Sequence, residues 1–252
     1  MTKETILVTG GTGLFGSQFV NFFSNNDFEV IFTSTNENKS IELKESCLKK
    51  ENISFLICDL TDISSWTRAL SRLHEKGRNI HHLINNARSL DNLKINQDGE
   101  TDRKNFVSEY LLNVVVPYEI SMFLFRSQSE SLNTVTNISS QYGIVAANKN
   151  LYEDFIHESA IQYGVAKAAL NHLTKELAVR FIDKNIRVNS VAYGGVEGRA
   201  SEKFKEKYAK LTPSKRMLSE DEIVGPVAML ISKSNSAING QTIIADGGWT
   251  LW

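Results

Sequence analysis

The chain has 252 residues, 41% of them hydrophobic, with three prolines, two cysteines and a formal net charge of −1. This near-neutral balance, without a basic stripe, argues against nucleic-acid binding. No apolar run approaches the roughly 18 residues of a membrane helix, and the polar N-terminus does not resemble a signal peptide. We therefore expect a cytoplasmic protein with no membrane partner, whose Cys47 and Cys58 are reduced thiols.

Seven short apolar runs alternate with helix-compatible segments along the chain. The predicted strands are Thr5–Val8, Glu29–Thr33, Ser54–Cys58, His82–Ile84, Thr134–Ser139, Arg187–Ala192 and Thr242–Ala245. The predicted helices cover residues 14–24, 37–50, 62–76, 101–127, 158–181 and 219–232. Strands that are apolar on both faces and alternate with helices predict a parallel sheet covered on both sides. The expected fold class is α/β, a Rossmann-like doubly wound parallel sheet of about seven strands with helices on both faces, in one domain over residues 1–252.

Local signals mark some helix ends. Asp62 is a suitable N-cap for the third helix, and Ser219 with Glu222 forms a capping-box pattern before the last one. Pro117 is expected to break or kink the helix predicted over 101–127.

A glycine-rich turn follows the first strand and precedes the first helix. Its sequence is Thr9-Gly10-Gly11-Thr12-Gly13-Leu14-Phe15-Gly16. The glycines let the backbone approach a pyrophosphate, and the helix N-terminus presents free N–H groups with a partial positive charge. This context predicts a dinucleotide-binding site.

Tyr163 and Lys167 stand four residues apart and so share one helical face. An ammonium one turn away favours the phenolate form, which makes Tyr163 a candidate general acid–base. With seven tyrosines in the chain, a chance pair is the structural alternative. Together with the glycine turn, the pair suggests a nicotinamide-dependent oxidoreductase.

Two further polar residues are candidates for the same site. Ser140 ends a strand at the carboxyl edge, where open parallel sheets bind ligands. It either bonds a substrate oxygen or satisfies backbone groups of the turn. Asn113 lies inside an apolar helical run, where most asparagines bond nearby backbone.

In these ordered motifs the chain resembles the short-chain dehydrogenase/reductase family, in its single-domain branch. The matching motifs are the glycine turn, Asp59-Leu60, Asn85-Asn86-Ala87, Asn113, Ser140, Tyr163 with Lys167, Arg187-Val188-Asn189 and Asp246-Gly247-Gly248. The resemblance implies a NAD(P)-binding domain that transfers hydride between nicotinamide and a secondary alcohol or ketone. The cofactor-binding residues it implies are Gly10, Thr12, Gly13, Leu14, Phe15, Gly16, Ser34, Asp59, Leu60, Asn86, Ala87, Tyr163, Lys167 and Val196.

The same resemblance implies four catalytic roles. No metal is expected, because His74, His81, His82, His157 and His172 show no metal-ligand arrangement in the sequence. Tyr163 would be the general acid–base, and Ser140 would orient the substrate oxygen. Lys167 would bind the nicotinamide ribose and favour the phenolate, while Asn113 would hold a water that links Lys167 to solvent.

Three positions depart from the family pattern. Leu14 stands where a glycine is usual, a spacing shared with longer sugar-nucleotide-modifying relatives. Arg88 replaces the glycine that usually follows Asn-Asn-Ala, and Tyr193 replaces a proline after the sixth strand. Arg88 and Tyr193 lie near the expected cleft, so they either pack locally or contact an anionic or sugar-like ligand.

The cofactor preference depends on the end of the second strand. An acid there would bind the adenosine ribose diol and favour NAD, but Ser34 occupies that position. Nothing there repels a 2′-phosphate, and Lys39 is a remote partner for one. We expect NADP rather than NAD, by a modest preference.

Two segments are expected to recognise the substrate. The loop 143–160 is longer than usual in the family. Together with Tyr142-Gly-Ile-Val-Ala before it and Asp246-Gly-Gly-Trp-Thr-Leu-Trp252 at the end of the chain, it is similar to bacterial flagellin-modification oxidoreductases associated with legionaminic-acid-type sugars. The lid 194–215 carries five cations, Arg199, Lys203, Lys205, Lys207 and Lys210. It is either a solvated helix or a cover for a phosphorylated ligand.

The sequence therefore predicts an oxidoreductase acting on a sugar or sugar phosphate. Two alternatives stay open: a non-catalytic dinucleotide-binding protein of the same fold, and a sugar-nucleotide epimerase or dehydratase. The expected partners are a small-molecule substrate and further copies of the chain, in a homotetramer.

Overall fold

The computed structural model describes residues 3–252, apart from the side chain of Arg199. Seven parallel strands form one sheet in the order β3-β2-β1-β4-β5-β6-β7. They are β1 Thr5–Val8, β2 Glu29–Ser34, β3 Ile53–Ile57, β4 His82–Asn85, β5 Thr134–Ser140, β6 Arg187–Tyr193 and β7 Thr242–Ala245. Each lies within one residue of its predicted bounds, and the predicted fold class is confirmed. The strand order reverses between β1 and β4, so a ligand crevice opens at their carboxyl ends.

Helices cover both faces of the sheet. They are α1 Leu14–Asn25, α2 Glu37–Ser46, α3 Ile63–Glu75, α4 Arg103–Tyr110, α5 Val116–Gln128, α6 Phe155–Glu158, α7 Ile161–Arg180, α8 Glu202–Leu211 and α9 Val224–Ile231. Successive strand residues point to opposite faces. Leu7 packs towards α3, α5 and α7, whereas Ile6 and Val8 pack towards α1 and α9. None of the helices within residues 3–252 is long and apolar enough to cross a membrane.

Several helix boundaries differ from the prediction. The helix predicted over 101–127 is α4 and α5 joined by a π-helical turn, Leu111–Val115. The distortion expected at Pro117 therefore takes the form of a wider turn instead of a break. The last predicted helix opens with a 3₁₀ turn, Glu220–Ile223, and the Ser219–Glu222 capping box is present there. The Asp62 cap is also confirmed. α2 ends at Ser46, short of its predicted end. The helix predicted over 158–181 begins only at Ile161 as α7, α6 overlaps that prediction at Glu158 alone, and α8 lies outside the predicted helices.

Candidate active site

A cleft of about 970 Å³ opens at the carboxyl edge of the sheet. Most of the predicted site residues line it: Gly10, Thr12, Gly13, Leu14, Phe15, Ser34, Asp59, Leu60, Asn86, Ala87, Ser140, Tyr163, Lys167 and Val196. Gly16 and Asn113 are not among the residues that line this cleft, and their predicted roles in cofactor binding and catalysis stay predictions.

The glycine turn has the shape that a pyrophosphate requires. Gly10 has a φ of +67°, and a Cβ there would lie 2.8 Å from Cα of Ala87. A Cβ on Gly16 would overlap the carbonyl oxygen of Gly10 and lie 2.8 Å from Cα of Gly11, so Gly16 lets α1 pack directly on the turn. The N-cap residue Gly13 supplies no side-chain acceptor. The first-turn N–H groups of α1 are therefore available at the cleft, which fits a dinucleotide pyrophosphate.

Side chains from β1 and β4 hold this turn in place. Oγ1 of Thr9 accepts hydrogen bonds from the backbone N–H groups of Asn86 at 2.9 Å and Ala87 at 3.0 Å. Nδ2 of Asn86 donates to the carbonyl oxygens of Thr9 at 2.9 Å and Gly10 at 3.1 Å. The Asn86 side chain thus braces the glycine turn, a role that the sequence reasoning missed, as it missed Thr9.

The end of β2 presents hydroxyl groups to the cleft. Oγ of Ser34 lies 3.2 Å from Oγ1 of Thr12 and accepts the N–H of Asn36 at 3.0 Å. Lys39 also lines this end of the cleft. One carboxylate oxygen of Asp59, which follows the neighbouring strand β3, accepts hydrogen bonds from both the backbone N–H and the hydroxyl of Thr61.

Lys167 and Arg88 place two cations around Tyr163. Nζ of Lys167 is buried, donates to the carbonyl oxygen of Ile138 at 2.7 Å, and lies 5.8 Å from the centroid of the Tyr163 ring. The guanidinium carbon of Arg88 lies 4.9 Å from the same centroid. Burial, and secondarily the charge of Arg88, lower the pKa of Lys167 to about 7, although the Glu109 carboxyl opposes this shift. Lys167 can therefore lose and regain a proton near neutral pH.

Ser140 performs the turn function and remains able to donate. Its Oγ accepts the N–H of Tyr142 at 3.2 Å, where β5 passes into a short 3₁₀ turn. A hydroxyl that accepts one hydrogen bond still has its own proton to give. Helix α7 approaches this turn closely because Gly164 has no side chain, and a Cβ there would lie 3.0 Å from the carbonyl oxygen of Tyr142.

Tyr193 serves local packing. Its side chain is buried, its hydroxyl donates to the carbonyl oxygen of Ile223, and its ring packs edge-on against Phe15 with centroids 5.2 Å apart. The hydroxyl is therefore committed to backbone, whereas Arg88 lines the cleft and has no side-chain hydrogen bond or ion pair with any residue that the structure describes.

The predicted loop and lid contact each other at the cleft mouth. Glu153 of the loop pairs with Lys207 and, at 3.2 Å, with Lys203 of α8. Lys205 pairs within α8 with Glu202 at 2.8 Å. The Arg199 side chain lies outside the described part of the chain. The charges of α8 are thus largely used in surface ion pairs, as expected for a solvated helix.

Sequence reasoning missed two buried polar features beneath the cleft. Nδ2 of Asn85 donates to Oδ1 of Asn137 at 2.8 Å, and Nδ2 of Asn137 donates to Oγ1 of Thr174 at 2.9 Å. Glu109 is fully buried one helical turn before Asn113. The signal for the asparagine pair is a polar residue within or at the end of an apolar strand, whereas Glu109 lies in the largely polar α4 and gives no such signal.

Comparison with known proteins agrees with this site. A family profile described as enoyl-(acyl carrier protein) reductase matches residues 15–250. The chain is 29% identical to post-translational flagellin modification protein A of Campylobacter coli, over 100% of both chains. It is similar to a solved short-chain dehydrogenase from Leptospira borgpetersenii serovar Hardjo-bovis with bound NAD⁺ (TM-score 0.88, 25% identity, 99% of this chain and 94% of that one). It is also similar to ElxO with NADP bound (TM-score 0.84, 26% identity, 99% and 100%). The chain therefore belongs to the short-chain dehydrogenase/reductase family, whose NAD(P)-dependent oxidoreductases act on CH–OH groups.

Proposed function

We propose that this oxidoreductase interconverts a secondary alcohol and a ketone on a sugar or sugar phosphate. The observation that carries the proposal is the grouping of Ser140, Tyr163 and Lys167 in one cleft with the uncapped N-terminus of α1. Whole-length similarity to a flagellin modification protein supports the sugar.

In this proposal the chain positions the substrate oxygen and moves one proton. Ser140 donates its hydroxyl to that oxygen, and Tyr163 exchanges a proton with it. Lys167 gives one N–H to Ile138, which leaves its remaining N–H groups for the nicotinamide ribose. A bound nicotinamide supplies or accepts the hydride. Because both reactants are held at one sheet edge, their positioning accounts for much of the rate acceleration.

The end of β2 supports NADP as the preferred cofactor. Ser34 offers a hydroxyl where a carboxylate would repel a 2′-phosphate, and Lys39 lines the same cleft. In titrations followed by tryptophan quenching, we expect a lower Kd for NADPH than for NADH. We expect Lys39→Ala to raise the Kd for NADPH about tenfold and to leave the Kd for NADH unchanged. Lys44→Ala, on the same helix but outside the cleft, is the matched control. Equal affinities for both dinucleotides in the unaltered protein would contradict the preference.

The environment of Arg88 supports the proposal that the substrate carries an anionic group. Within the described part of the chain, no acidic side chain forms an ion pair with it, whereas Lys203, Lys205 and Lys207 of α8 are paired. Its side chain is exposed to the cleft and lies against the Tyr163 ring. A guanidinium in this position can bind a phosphate or carboxylate bidentately.

A panel of matched neutral and phosphorylated ketoses tests the function, fructose with fructose 6-phosphate among them. We expect NADPH-dependent reduction of the phosphorylated ketose of a pair. We expect Arg88→Ala to raise the KM for this ketose about tenfold or more and to change the KM for the neutral ketose little. Lys203→Ala, which removes a cation already paired, is the control. Substrate conversion without net oxidation of free cofactor would instead support an epimerase or dehydratase, and absence of dinucleotide binding would support the non-catalytic alternative.

The homotetramer and the cytoplasmic location stay predictions. Helices α4, α5 and α7 expose Val107, Tyr118 and Val165, whose side chains supply apolar surface of the kind that subunit contacts bury.

The loop 143–160 and the lid 194–215 are proposed to select the substrate together, because Glu153 of the loop forms an ion pair with Lys203 of the lid.

A further inference from the structure

Tyr208 of α8 joins two backbone segments at the cleft. Its hydroxyl donates to Oε1 of Gln141 at 2.9 Å and accepts the backbone N–H of Gly195 at 2.9 Å. Gln141 directly follows Ser140 in the turn after β5. Gly195 directly precedes Val196 in the segment after β6. Ser140 and Val196 both line the cleft. One phenol therefore connects the turn that carries the candidate substrate-orienting serine to the segment that is expected to contact the cofactor.

This bridge is buried, and two glycines make room for it. Tyr208 is 1% exposed, and Gln141 is also buried. A Cβ on Gly194 would lie 2.9 Å from the hydroxyl oxygen of Tyr208, and a Cβ on Gly195 would lie 2.8 Å from Cε2 of its ring. Burial raises the pKa of Tyr208 to about 12, so the hydroxyl stays protonated and continues to donate. Because a buried polar group is costly to leave unpaired, the two hydrogen bonds hold the segments at a fixed spacing.

The same side chain anchors α8. Among the ten residues of this helix, all of which the structure describes, Tyr208 alone is buried. Its ring stacks on that of Trp249, with the centroids 4.4 Å apart and an interplanar angle of 20°. Leu151 of the loop and Met217 belong to the same small apolar cluster. The surface ion pairs of α8 contribute little by comparison. The docked position of α8 therefore depends on the residue that joins the two segments.

We propose that Tyr208 is a positioning residue, which aligns the substrate oxygen with the bound nicotinamide by holding the Ser140 turn at a fixed distance from the segment 194–196. This role rests on the proposed function, in which Ser140 orients the substrate and Tyr163 exchanges the proton. Tyr208 acts through Ser140 and through the backbone next to Val196. Because reacting groups must meet within narrow limits of distance and orientation, a change in this spacing lowers the rate of hydride transfer more than the affinity for either reactant.

Amide hydrogen exchange in the protein without substrate or cofactor tests the bridge. Tyr208→Phe keeps the stacked ring and removes the hydroxyl, so the Gly195 amide loses its acceptor and should exchange about tenfold faster. The amides of Ile144 and Val145 both donate to the backbone carbonyl of Gln141 at 2.9 Å and report on the turn. They should exchange faster as well, because the turn loses its link to α8.

Tyr193→Phe is the matched control for this measurement. It also removes one buried phenol hydroxyl, whose acceptor is the carbonyl oxygen of Ile223 and belongs to neither segment. We expect Tyr193→Phe to leave exchange in both segments unchanged. Unchanged exchange at Gly195 in Tyr208→Phe, or faster exchange there without any change in the turn, overturns the proposal.

Turnover of a ketose from the panel above tests the alignment. We expect Tyr208→Phe to lower kcat about tenfold or more, while KM for NADPH and KM for the ketose stay close to their original values. Gln141→Leu removes the same hydrogen bond from its other end. Because the two substitutions remove one shared interaction, the double variant should be no slower than the slower single variant. Tyr193→Phe should keep the kcat of the unaltered protein.

The outcomes separate this role from the proposed function. An unchanged kcat in Tyr208→Phe overturns the alignment role, and so do effects of Tyr208→Phe and Gln141→Leu that multiply in the double variant. If the exchange results hold but the unaltered protein reduces none of the ketoses, the proposed substrate class fails and the Tyr208 bridge stands.

Discussion

Tyr163→Phe is expected to reduce turnover by about 10²–10⁴-fold while leaving dinucleotide affinity close to that of the unaltered protein. The substitution removes the one hydroxyl assigned to exchange a proton with the substrate oxygen. It keeps the aromatic ring, whose centroid lies 4.9 Å from the guanidinium carbon of Arg88 and 5.8 Å from Nζ of Lys167. Initial rates with the ketose panel and tryptophan-quenching titrations with NADPH measure the two effects separately.

A second tyrosine of the cleft provides the control. The hydroxyl of Tyr142 lies 2.8 Å from that of Tyr152 and is largely buried, and burial raises the pKa of Tyr142 well above its usual range. Its phenol is a poor proton carrier, so Tyr142→Phe should keep most of the activity. Near-normal turnover by Tyr163→Phe would mean that another group carries the proton.

Gly16→Ala is expected to lower both stability and dinucleotide affinity. The added methyl group would overlap the carbonyl oxygen of Gly10 and crowd Cα of Gly11, both backbone atoms that no side-chain rotation can move. Overpacking of this kind costs about 1–3 kcal/mol. Displacement of the turn would also misalign the first-turn N–H groups of α1, and about tenfold weaker binding corresponds to a loss of about 1.4 kcal/mol. Urea unfolding and NADPH titration measure the two losses.

Gly13→Ala is the matched substitution within the same turn. Its φ is −77°, which alanine adopts freely, and a Cβ there would lie at an ordinary 3.4 Å from the carbonyl oxygen of Gly10. We expect a change in unfolding free energy within about 0.5 kcal/mol. Equal destabilisation by the two substitutions would show that the close contact at Gly16 is not the cause.

The sheet could be predicted well because its determinants are local. Fully apolar runs of strand length, bounded by turns and alternating with helices, leave few arrangements other than a covered parallel sheet, and all seven strands lie within one residue of prediction. The structure around Pro117 is harder to predict from the sequence. A missing N–H signals a distortion, but whether the helix breaks or widens into a π turn depends on the packing of α4 and of the turn itself against α7.

In the candidate site, too, some features follow from local sequence and others from tertiary packing. Its ordered motifs identify the strand ends and the α7 helix, because short spacing decides which side chains share a helix face or strand edge. By itself, then, the sequence determined the fold class, the family resemblance and most of the residues that line the cleft. Only the tertiary structure decided that Asn86 braces the glycine turn, that Gly16 packs behind it, and that Tyr193 is committed to backbone. It also brought Arg88 and Lys167 to the ring of Tyr163. These are contacts between side chains far apart in the chain, and their partners and burial are settled only when the helices pack on the sheet.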